Sequence, residues 1–497
     1  MPSGRPTLRL MSDRSPVDPR TPVIVGRAQV VDATPDVDHP VDAIDLMTRA
    51  TVDALADAGV GPSAVETVGV VGGIHRHPNA AAAVAHGVGC RTAHTIVTTW
   101  GGDTPIAFLG ELGQRIVAGE LEVAVFVGGE ANRTRDALRS AGREVPKRDE
   151  TGVPAPEHWG TPLEMGRSDA VERGGEMPRN TYAVFDSALR AAAGETLDEA
   201  RDRAAALWAG YSAVAAGNPD LKVGSLDADA IRTPTPDNRM VSWPYTKAMC
   251  ANNRVDQAGA LVVCSSAAAD RLGVDPSRRV YLHDTIRASD TDSFLLRERI
   301  DTVPGLDAAA ALVVGRWGPI DAIDHVDLYG CFPSIVHYTA AALGLTRSRP
   351  LTVTGGLGFM GAPLNFAAGQ SLIAMVRALR AEPGTFGLVQ GNGGHAAKHS
   401  FGIYSTEPPS SLPSVTVVDH ADARVSMAAS ESSGAATIEG ITVEYGRDGA
   451  ERAVAALRLD CGGRLWANSV DPSVLAAAVS RELVGVATTV KAGEFRL

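Results

Sequence analysis

The sequence predicts a layered α/β protein of two duplicated halves, with a long segment inserted into the first half and a small β-rich domain after the second. Three observations lead there. The order glycine turn, helix, strand, glycine turn occurs once between Gly101 and Glu130 and again between Gly355 and Gly394, and a repeat on that scale indicates internal duplication. Within each copy short apolar runs alternate with stretches of helical spacing, which favours helices layered on a mostly parallel sheet. After Pro408-Pro409-Ser410-Ser411-Leu412-Pro413 the pattern changes to period-two alternation, the signature of hairpins rather than of strand–helix units.

Taken in order, residues 1–21 carry Arg5, Arg9, Arg14 and Arg20 among Pro, Ser and Asp, without an apolar stretch of signal-peptide length, and read as a flexible tail. Pro22-Val23-Ile24-Val25-Gly26 reads as a buried strand ending in a turn, and Ala43 to Ala58 has helical apolar spacing. In Gly101-Gly102-Asp103-Thr104-Pro105 the hydroxyl of Thr104 is placed to cap a helix whose first position is Pro105, where a missing N–H costs nothing. Ile106, Leu109, Leu112, Ile116 and Val117 give that helix one apolar face, and Val123 to Val127 follow as a strand. The polar stretch 131–247 is too long for a plain loop. Within it Glu144 to Gly175 reads as irregular surface and Leu197 to Ala216 as a helix, before the strand Ala260 to Cys264. In the second copy the helix face is Leu372, Met375, Val376 and Leu379, and the strand is Phe386 to Val389, followed by Gly391-Asn392-Gly393-Gly394. Last come a hairpin, Thr437 to Tyr445 and Arg452 to Leu459 across Arg447-Asp448-Gly449, a helix from Pro472 to Val479 and a strand from Val484 to Val490, which together suggest a small barrel.

Composition removes several classes of function. The 46 basic and 58 acidic side chains leave a net charge of −12, against a general nucleic-acid binder. From Pro408 onward there are 8 basic and 11 acidic residues, so a barrel there has no electrostatic footprint for nucleic acid either. Cys90, Cys250, Cys264, Cys331 and Cys461 are odd in number and never spaced as Cys-x-x-Cys, which indicates neither a disulfide framework nor a zinc site and fits a reducing cytoplasm. His75-Arg76-His77-Pro78 has two imidazoles but no third ligand nearby, so no metal is expected. No run of about 18 apolar residues exists to span a membrane.

Pro22-Val23-Ile24-Val25-Gly26, Ile116 to Glu130, Asn253-Arg254-Val255-Asp256-Gln257-Ala258-Gly259-Ala260 and the two glycine turns of the second half together resemble the thiolase superfamily over about residues 22–406. Within it the sequence resembles the sterol-carrier-protein-type acetyl-CoA acetyltransferase homologues and thiolase-like proteins with an additional C-terminal domain. The resemblance implies an αβαβα layered fold. Its halves would be 22–277, with an inserted loop domain at 131–247, and 278–407, followed by a small OB-like barrel at 414–497. It also implies a coenzyme A thioester as substrate or ligand, no permanently bound cofactor, and a homodimer.

The chemistry it implies is altered. Thiolases use a cysteine nucleophile at a buried helix N-terminus, a second cysteine that moves the proton, and a histidine that binds the thioester oxygen. Counting back from Ile116, the nucleophile's place falls on or beside Gly102. The family's Gly-His-Pro reads Gly361-Ala362-Pro363, its Cys-x-Gly-Gly reads Gly391-Asn392-Gly393-Gly394, and the Asn of its Asn-Glu-Ala-Phe is Tyr329 in Tyr329-Gly330-Cys331-Phe332. Claisen chemistry by the family's route is therefore not expected. What remains is backbone near Gly102 and Gly393 as an oxyanion hole, a pocket expected to be widened at Gly102, Ala362 and Gly391, and Tyr329 as candidate acid or base. Relatives with a tyrosine here, paired with small β-barrel partners, include retro-aldol enzymes of β-hydroxyacyl-CoA. The reading is thus an acyl-CoA-handling protein of lipid or sterol side-chain metabolism, working as a retro-aldolase. A non-catalytic acyl-CoA-binding or scaffold protein and a Cys-independent acyltransferase are the alternatives.

Further candidates surround that core. His395, Lys398 and His399 follow the second glycine loop, with His395 or His399 as a pocket acid or base and Lys398 as a phosphate contact, a solvated hairpin being the alternative. Asp103 and Thr104 are accounted for by helix capping alone. Cys331 shares a side with Tyr329 if the stretch is extended, yet reads as packing. Lys247 and Arg254 flank the return from the insertion, where thiolases contact the CoA nucleotide, and Trp159 offers an aromatic face for adenine.

Overall fold

The structure, a computed structural model, describes residues 17–497 apart from 33, 76, 146–147, 149–151, 163–167, 220, 222, 347–348 and 421–422. The expected tail up to residue 16, and Arg76 of the two-histidine motif, lie outside the described residues. Residues 17–21 are part of the fold: Thr21 is buried and its carbonyl accepts a hydrogen bond from the Ser266 amide at 2.9 Å.

The first half runs β1 (Pro22–Asp32), α1 (Ala43–Ala58), β2 (Thr67–Val70), α2 (Ala80–Val88), β3 (His94–Thr98), α3 (Thr104–Ala118) and β4 (Val123–Ala131). The insertion supplies α4 (Asn132–Ser140), β5 (Glu157–Trp159), β6 (Met240–Ser242) and β7 (Tyr245–Thr246), together with the helices Pro178–Ala193 and Leu197–Ala216. β8 (Asp256–Ser265) returns the chain to the core. The second half contains β9 (Val280–Ser289), the helix Pro304–Trp317, β10 (His325–Asp327), the helix Ala367–Ala381, β11 (Phe386–Gly393) and β12 (Lys398–Ser405). Local signals set several of these bounds. At α1, Asp42 and Asp45 form a capping box and Gly59 ends the helix at φ +67°.

The duplication read from the glycine turns is a duplication of topology. β1 pairs antiparallel with β8, β8 antiparallel with β4, and β4 parallel with β2. The second half repeats this with β9 antiparallel to β12, β12 antiparallel to β11, and β11 parallel to β10. The two first strands meet where Val23 and Ile24 pair with Tyr281 and Val280. The expectation of a mostly parallel sheet is corrected by these ladders. No crossover helix separates β11 from β12, and a connection that short joins only antiparallel neighbours.

Both faces of the sheet are buried, and period-two alternation sorts the side chains. Val123, Val125 and Val127 pack with Leu46, Met47 and Ala50 of α1, whereas Ala124 and Phe126 pack with Leu109, Leu112 and Ile116 of α3. Each such fully buried Val, Leu or Phe contributes about 1.5–3 kcal/mol relative to exposure. α3 and the helix Ala367–Ala381 touch strands of both halves and form the central layer, with α1 and Pro304–Trp317 on the two outer faces, which gives the αβαβα order.

The glycine turns are shorter than the sequence suggested, since β4 runs on through Gly128 and Gly129 to Ala131 and β11 runs on to Gly393. The stretch after the Pro-rich linker first adds β13 (Ser414–Val417) to the large sheet beside β9. The small domain follows as β14 (Gly434–Tyr445), β15 (Ala450–Leu459), β16 (Arg464–Ser469), β17 (Ala487–Lys491) and β18 (Glu494–Arg496). Pairing in the order β14, β15, β16, β18, β17 and back to β14 closes a small barrel. The helix Pro472–Ser480 plugs it with Val474 and Ala478. The final strand begins at Ala487 rather than Val484, and β18 lies beyond the expected elements.

The barrel is fastened to the rest of the molecule. Ser242 of β6 pairs with Glu444 of β14, so the insertion and the barrel share a sheet. Arg464, fully buried, pairs with Glu439 at 2.5 Å and donates to the carbonyls of Leu295 (2.8 Å), Arg297 and Glu298 (3.0 Å). Trp466 stacks on Phe294 with ring centres 6.2 Å apart.

Candidate functional site

Gly101, Gly102 and Asp103 lie at the start of α3, in the central layer, where the two halves meet. α3 begins at Thr104, and Asp103 in the cap position makes no capping hydrogen bond with its side chain. The capping account of Asp103 and Thr104 is therefore corrected. The Asp103 carboxylate turns back into the protein, where its Oδ1 is buried without a hydrogen-bond partner among the described residues. A Cβ placed on Gly101 or on Gly393 would lie 2.3 Å from that oxygen. Both glycines make room for it.

Gly102 does the same for Tyr329. A Cβ at 102 would lie 2.3 Å from the Tyr329 hydroxyl and 2.4 Å from the Asn392 carbonyl. A Cβ at Gly391 would meet the Ser400 hydroxyl at 2.8 Å and the Asp103 backbone at 2.9 Å, and Ala362 is 1% exposed. The widened pocket expected from these small residues is thus not present. Close packing by Tyr329, Asp103 and Ser400 has taken up the space, as a core at crystal-like density requires.

Second-half elements hold this cluster. The Tyr329 amide donates to Gln390 Oε1 at 2.8 Å, and the Ser400 hydroxyl donates to the Asp103 carbonyl at 2.8 Å. The hairpin between β11 and β12 is pinned from two directions. From the insertion, the Tyr182 hydroxyl accepts from Asn392 Nδ2 (2.8 Å) and from the Ala396 amide (3.1 Å) and donates to the Gly394 carbonyl (3.2 Å), with its ring stacked on Phe332. From the core, Arg297 donates to the carbonyls of His395 and Ala396 at 2.8 and 2.6 Å. Ala396 sits at φ +52°, a left-handed conformation that a non-glycine residue holds only when its surroundings impose it. Because Arg464 of the barrel binds the Arg297 carbonyl, the small domain supports the hairpin through one intervening residue.

Burial sets the protonation states. Loss of solvent holds the Tyr329 phenol well above its usual range, with the buried thiol of Cys331 and the Asp103 carboxylate adding to the effect. The Cys331 thiol is pushed up to about 12 by burial, which leaves it protonated and weakly nucleophilic at neutral pH. His395 is pushed down to about 4 by burial and then by Arg297, so its ring is neutral, with Nε2 unpartnered among the described residues. Asp103 is raised by burial, against the pull of Lys398, Arg287 and His399. Buried polar atoms without partners are uncommon in native proteins. Here Asp103 Oδ1, Asn392 Oδ1 and His395 Nε2 belong to one group of neighbouring residues. Sequence reasoning passed over Asp103, Asn392 and Tyr182. For Asp103 the usable signal was its place between two glycines and a Thr-Pro helix start.

Of the sequence candidates, Tyr329, Gly102 and Gly393 come together in this cluster, and His395 lies in its hairpin. The nucleotide candidates do not form one group. Trp159 stands on β5 with Phe108 at 5.2 Å and the Arg287 guanidinium 5.2 Å above its ring. Lys247 donates to the Asp237 carbonyl at 3.3 Å, and Arg254 pairs with Asp136 at 3.0 Å. The Lys398 ammonium donates to the Thr161 carbonyl at 2.5 Å. His399 is fully buried and bonds Asp290 at 3.1 Å, with His420 on the other oxygen of that carboxylate at 3.4 Å. Among the described residues no group of side chains is suited to hold a metal ion, and no helix is long and apolar enough to cross a membrane.

A second buried carboxyl, Glu130 at the end of β4, is pushed up to about 7 by burial from an ordinary value near 4.5. Between those values the folded chain holds a proton that the unfolded chain has lost, so this group lowers stability as pH rises from about 4.5 to 7. Glu130→Gln removes the ionisation. Urea unfolding across pH should show the variant gaining on the order of 3 kcal/mol over the parent above pH 7, and little near pH 4.

Comparison with known proteins agrees with this architecture. Residues 416–494 match the family described as the thiolase-like protein type 1 additional C-terminal domain. Among solved structures, the chain is similar to a monomeric SCP2-thiolase-like protein type 1 from Mycobacterium smegmatis, with 28% identity and a TM-score of 0.80, over 97% of this chain and 100% of that one. It is similar in fold to the Ltp2–ChsH2(DUF35) aldolase, with 17% identity and a TM-score of 0.56 over 77% and 98% of the two chains. The Acat5 thiolase of Ascaris suum, solved in complex with coenzyme A, gives 16% identity and a TM-score of 0.54 over 78% and 99%. A search of proteins with curated functions finds no match. The fold is thiolase-like, with an additional C-terminal domain of the kind found in thiolase-like proteins type 1. Along nearly its whole length the chain is similar to the type 1 protein of Mycobacterium smegmatis.

Proposed function

We propose that this protein binds a β-hydroxyacyl thioester of coenzyme A and cleaves its Cα–Cβ bond by retro-aldol chemistry, without a covalent acyl-enzyme. The observation that supports this reading is the buried Tyr329 hydroxyl in the space a side chain at Gly102 would fill, beside the unpartnered Asp103 carboxylate. Among the described residues no ionised cysteine stands there, since burial keeps the Cys331 thiol protonated, but two proton-carrying groups do. In this scheme Asp103 takes the proton of the β-hydroxyl. Its O–H electrons form the new carbonyl, the Cα–Cβ bond breaks, and the pair passes into the thioester enolate, whose oxygen is held by backbone amides near Gly102 and Gly393. Tyr329 protonates Cα and is reprotonated from Asp103, so the acyl-CoA product and the aldehyde or ketone leave with no net proton change. His395, neutral, serves as a hydrogen-bonding partner in the pocket. Lys398 and Arg287 offer positive charge on the side of Trp159, while Lys247 and Arg254 serve as outer contacts to the nucleotide. We place the acyl chains in lipid or sterol side-chain metabolism, as the resemblance implies, and the protein in the cytoplasm, in keeping with its odd, scattered cysteines.

A removed phenol should cost about 10²–10⁴-fold in turnover, the usual weight of one general acid–base group. Tyr329→Phe is expected to show that loss in an assay of β-hydroxyacyl-CoA cleavage by mass detection, with coenzyme A binding retained. One observation favours the second reading, a non-catalytic acyl-CoA-binding protein: five cavities bounded by described residues are lined by residues other than Gly102, Tyr329 and His395. Binding of acyl-CoA with no cleavage of any β-hydroxyacyl-CoA would select it.

We also propose that the chain works as a monomer rather than as the homodimer the resemblance implied. β5 lies along β3, pairing Ile96 with Glu157, Val97 with His158 and Thr98 with Trp159, and so covers the edge of the large sheet. The Mycobacterium smegmatis relative is described as monomeric. Light scattering should give the mass of one chain, and a dimer mass would reject this.

A further inference from the structure

A cavity of about 550 Å³ lies outside the Tyr329 cluster, between α1, the end of β4 and α4. That is within the range of small-molecule sites. Its apolar wall includes Val41, Leu138 and Val145, and its polar end is formed by Glu130, His75 and Arg135. Glu130 is 1% exposed; its Oε1 accepts from the Ile74 amide at 2.7 Å, while its Oε2 has no partner among the described residues. His75 Nδ1 accepts from the His77 amide at 3.3 Å, which in a neutral ring leaves the proton on Nε2, and that N–H is also buried without a partner. The ring is neutral because burial pushes it down to about 4. A Cβ built on Gly73 would lie 2.3 Å from Glu130 Oε1 and 3.1 Å from His75 Nε2, so both side chains lean over one glycine. Arg135 donates to Asn132 Oδ1 at 2.6 Å and to the Ile74 carbonyl at 3.4 Å, and its Nε–H remains unpartnered. At the rim, Arg148 closes on Asp42 and Asp45, which keeps those charges paired.

Three buried polar atoms without partners thus belong to residues that line one cavity: two N–H donors and one carboxyl oxygen. We propose that this cavity is a second ligand site, separate from the Tyr329 cluster, and that it takes an uncharged carboxamide carried on a small apolar body. The carbonyl oxygen of such a ligand accepts from His75 Nε2–H and Arg135 Nε–H, its NH₂ donates to Glu130 Oε2, and its apolar part lies against Val41, Leu138 and Val145. Each unpartnered atom is then satisfied. Above about pH 7, where the Glu130 carboxyl is ionised, a carboxylate of the same shape places an oxygen where the NH₂ should be and is disfavoured.

The test is titration of the full chain, at a pH well above 7 so that Glu130 is ionised, with benzamide and benzoate, followed by calorimetry or ligand-observed NMR. Saturable millimolar binding of benzamide is expected, with benzoate at least tenfold weaker. Glu130→Gln keeps an oxygen for the Ile74 amide but turns the free acceptor into a donor, and should weaken benzamide at least tenfold. Val145→Trp, at a 38% exposed position where folding is not at risk, should abolish binding by filling the cavity. No saturable binding to the parent chain, or benzamide binding left unchanged by both substitutions, overturns the proposal.

Discussion

Placing a cysteine at Gly102, where the thiolase resemblance puts a nucleophile, is expected to yield a destabilised protein with no acyl-transfer activity. Even the Cβ of an alanine there would stand 2.3 Å from the Tyr329 hydroxyl and 2.4 Å from the Asn392 carbonyl. One of these contacts is with backbone in a paired strand, which has little freedom to move. Overpacking of this kind costs about 1–3 kcal/mol and sometimes more, and the sulfur adds to it. Gly102→Ala should therefore shift the urea midpoint by that amount without a change in slope. Combined with Tyr329→Phe, which removes the nearest atom but leaves the Asn392 carbonyl in place, the cost should fall only in part, with a coupling of about 0.5–3 kcal/mol between the two sites. Equal stability of Gly102→Ala and the parent would mean that the turn is open after all.

Arg464→Met should be the most damaging single change outside the site. The guanidinium is fully buried, pairs with Glu439, and satisfies carbonyls of Leu295, Arg297 and Glu298 on the core. Methionine fills much of the volume yet leaves the carbonyls of Leu295 and Arg297 without this donor, while Glu439 and the Glu298 carbonyl keep Arg458 at 3.3 and 3.1 Å. Each buried carbonyl left without a partner costs about 1–3 kcal/mol, and urea unfolding should record a loss of that order. The effect should also reach the site, because Arg297 holds the carbonyls of His395 and Ala396. Lower turnover in the still folded fraction is expected from this variant. A loss below about 1 kcal/mol would show that the barrel is fastened chiefly by Trp466 and the β6–β14 pairing.

Much of the fold was legible because its signals are local and periodic. Ala43–Ala58 and Leu197–Ala216 are helices over the bounds read from apolar spacing, and the hairpin of β14 and β15 follows from alternation across Arg447-Asp448-Gly449. Strand direction was less legible. Periodicity does not distinguish a crossover from a hairpin, so the antiparallel returns of β8 and β12 were missed. The extent of β4 and β11 was missed because glycine in a buried strand end reads as a turn when its neighbours are unknown.

The site was legible in part. Tyr329, Gly102 and Gly393 were named and do meet, but the meaning of the glycines was reversed. A missing side chain was read as empty space, whereas Gly101, Gly102 and Gly393 each yield their space to a side chain arriving from elsewhere. Asp103 was dismissed as a cap because a residue before Thr-Pro usually is one, and only the path of its carboxylate shows otherwise. Asn392 and Tyr182 meet through a hydrogen bond spanning 210 residues of sequence, a separation across which no motif reports.

In the proposed reaction the buried Tyr329 hydroxyl moves a proton for a bond that breaks without a covalent intermediate. The most direct measurement incubates the parent chain and Tyr329→Phe with a β-hydroxyacyl-CoA, follows the shortened acyl-CoA and the carbonyl product by mass, and titrates coenzyme A binding to both. Cleavage by the parent, a loss of about 10²–10⁴-fold in the variant and equal coenzyme A binding are the expected results. Cleavage that Tyr329→Phe leaves unchanged would contradict the role of the phenol, and binding without cleavage in the parent would contradict the chemistry itself.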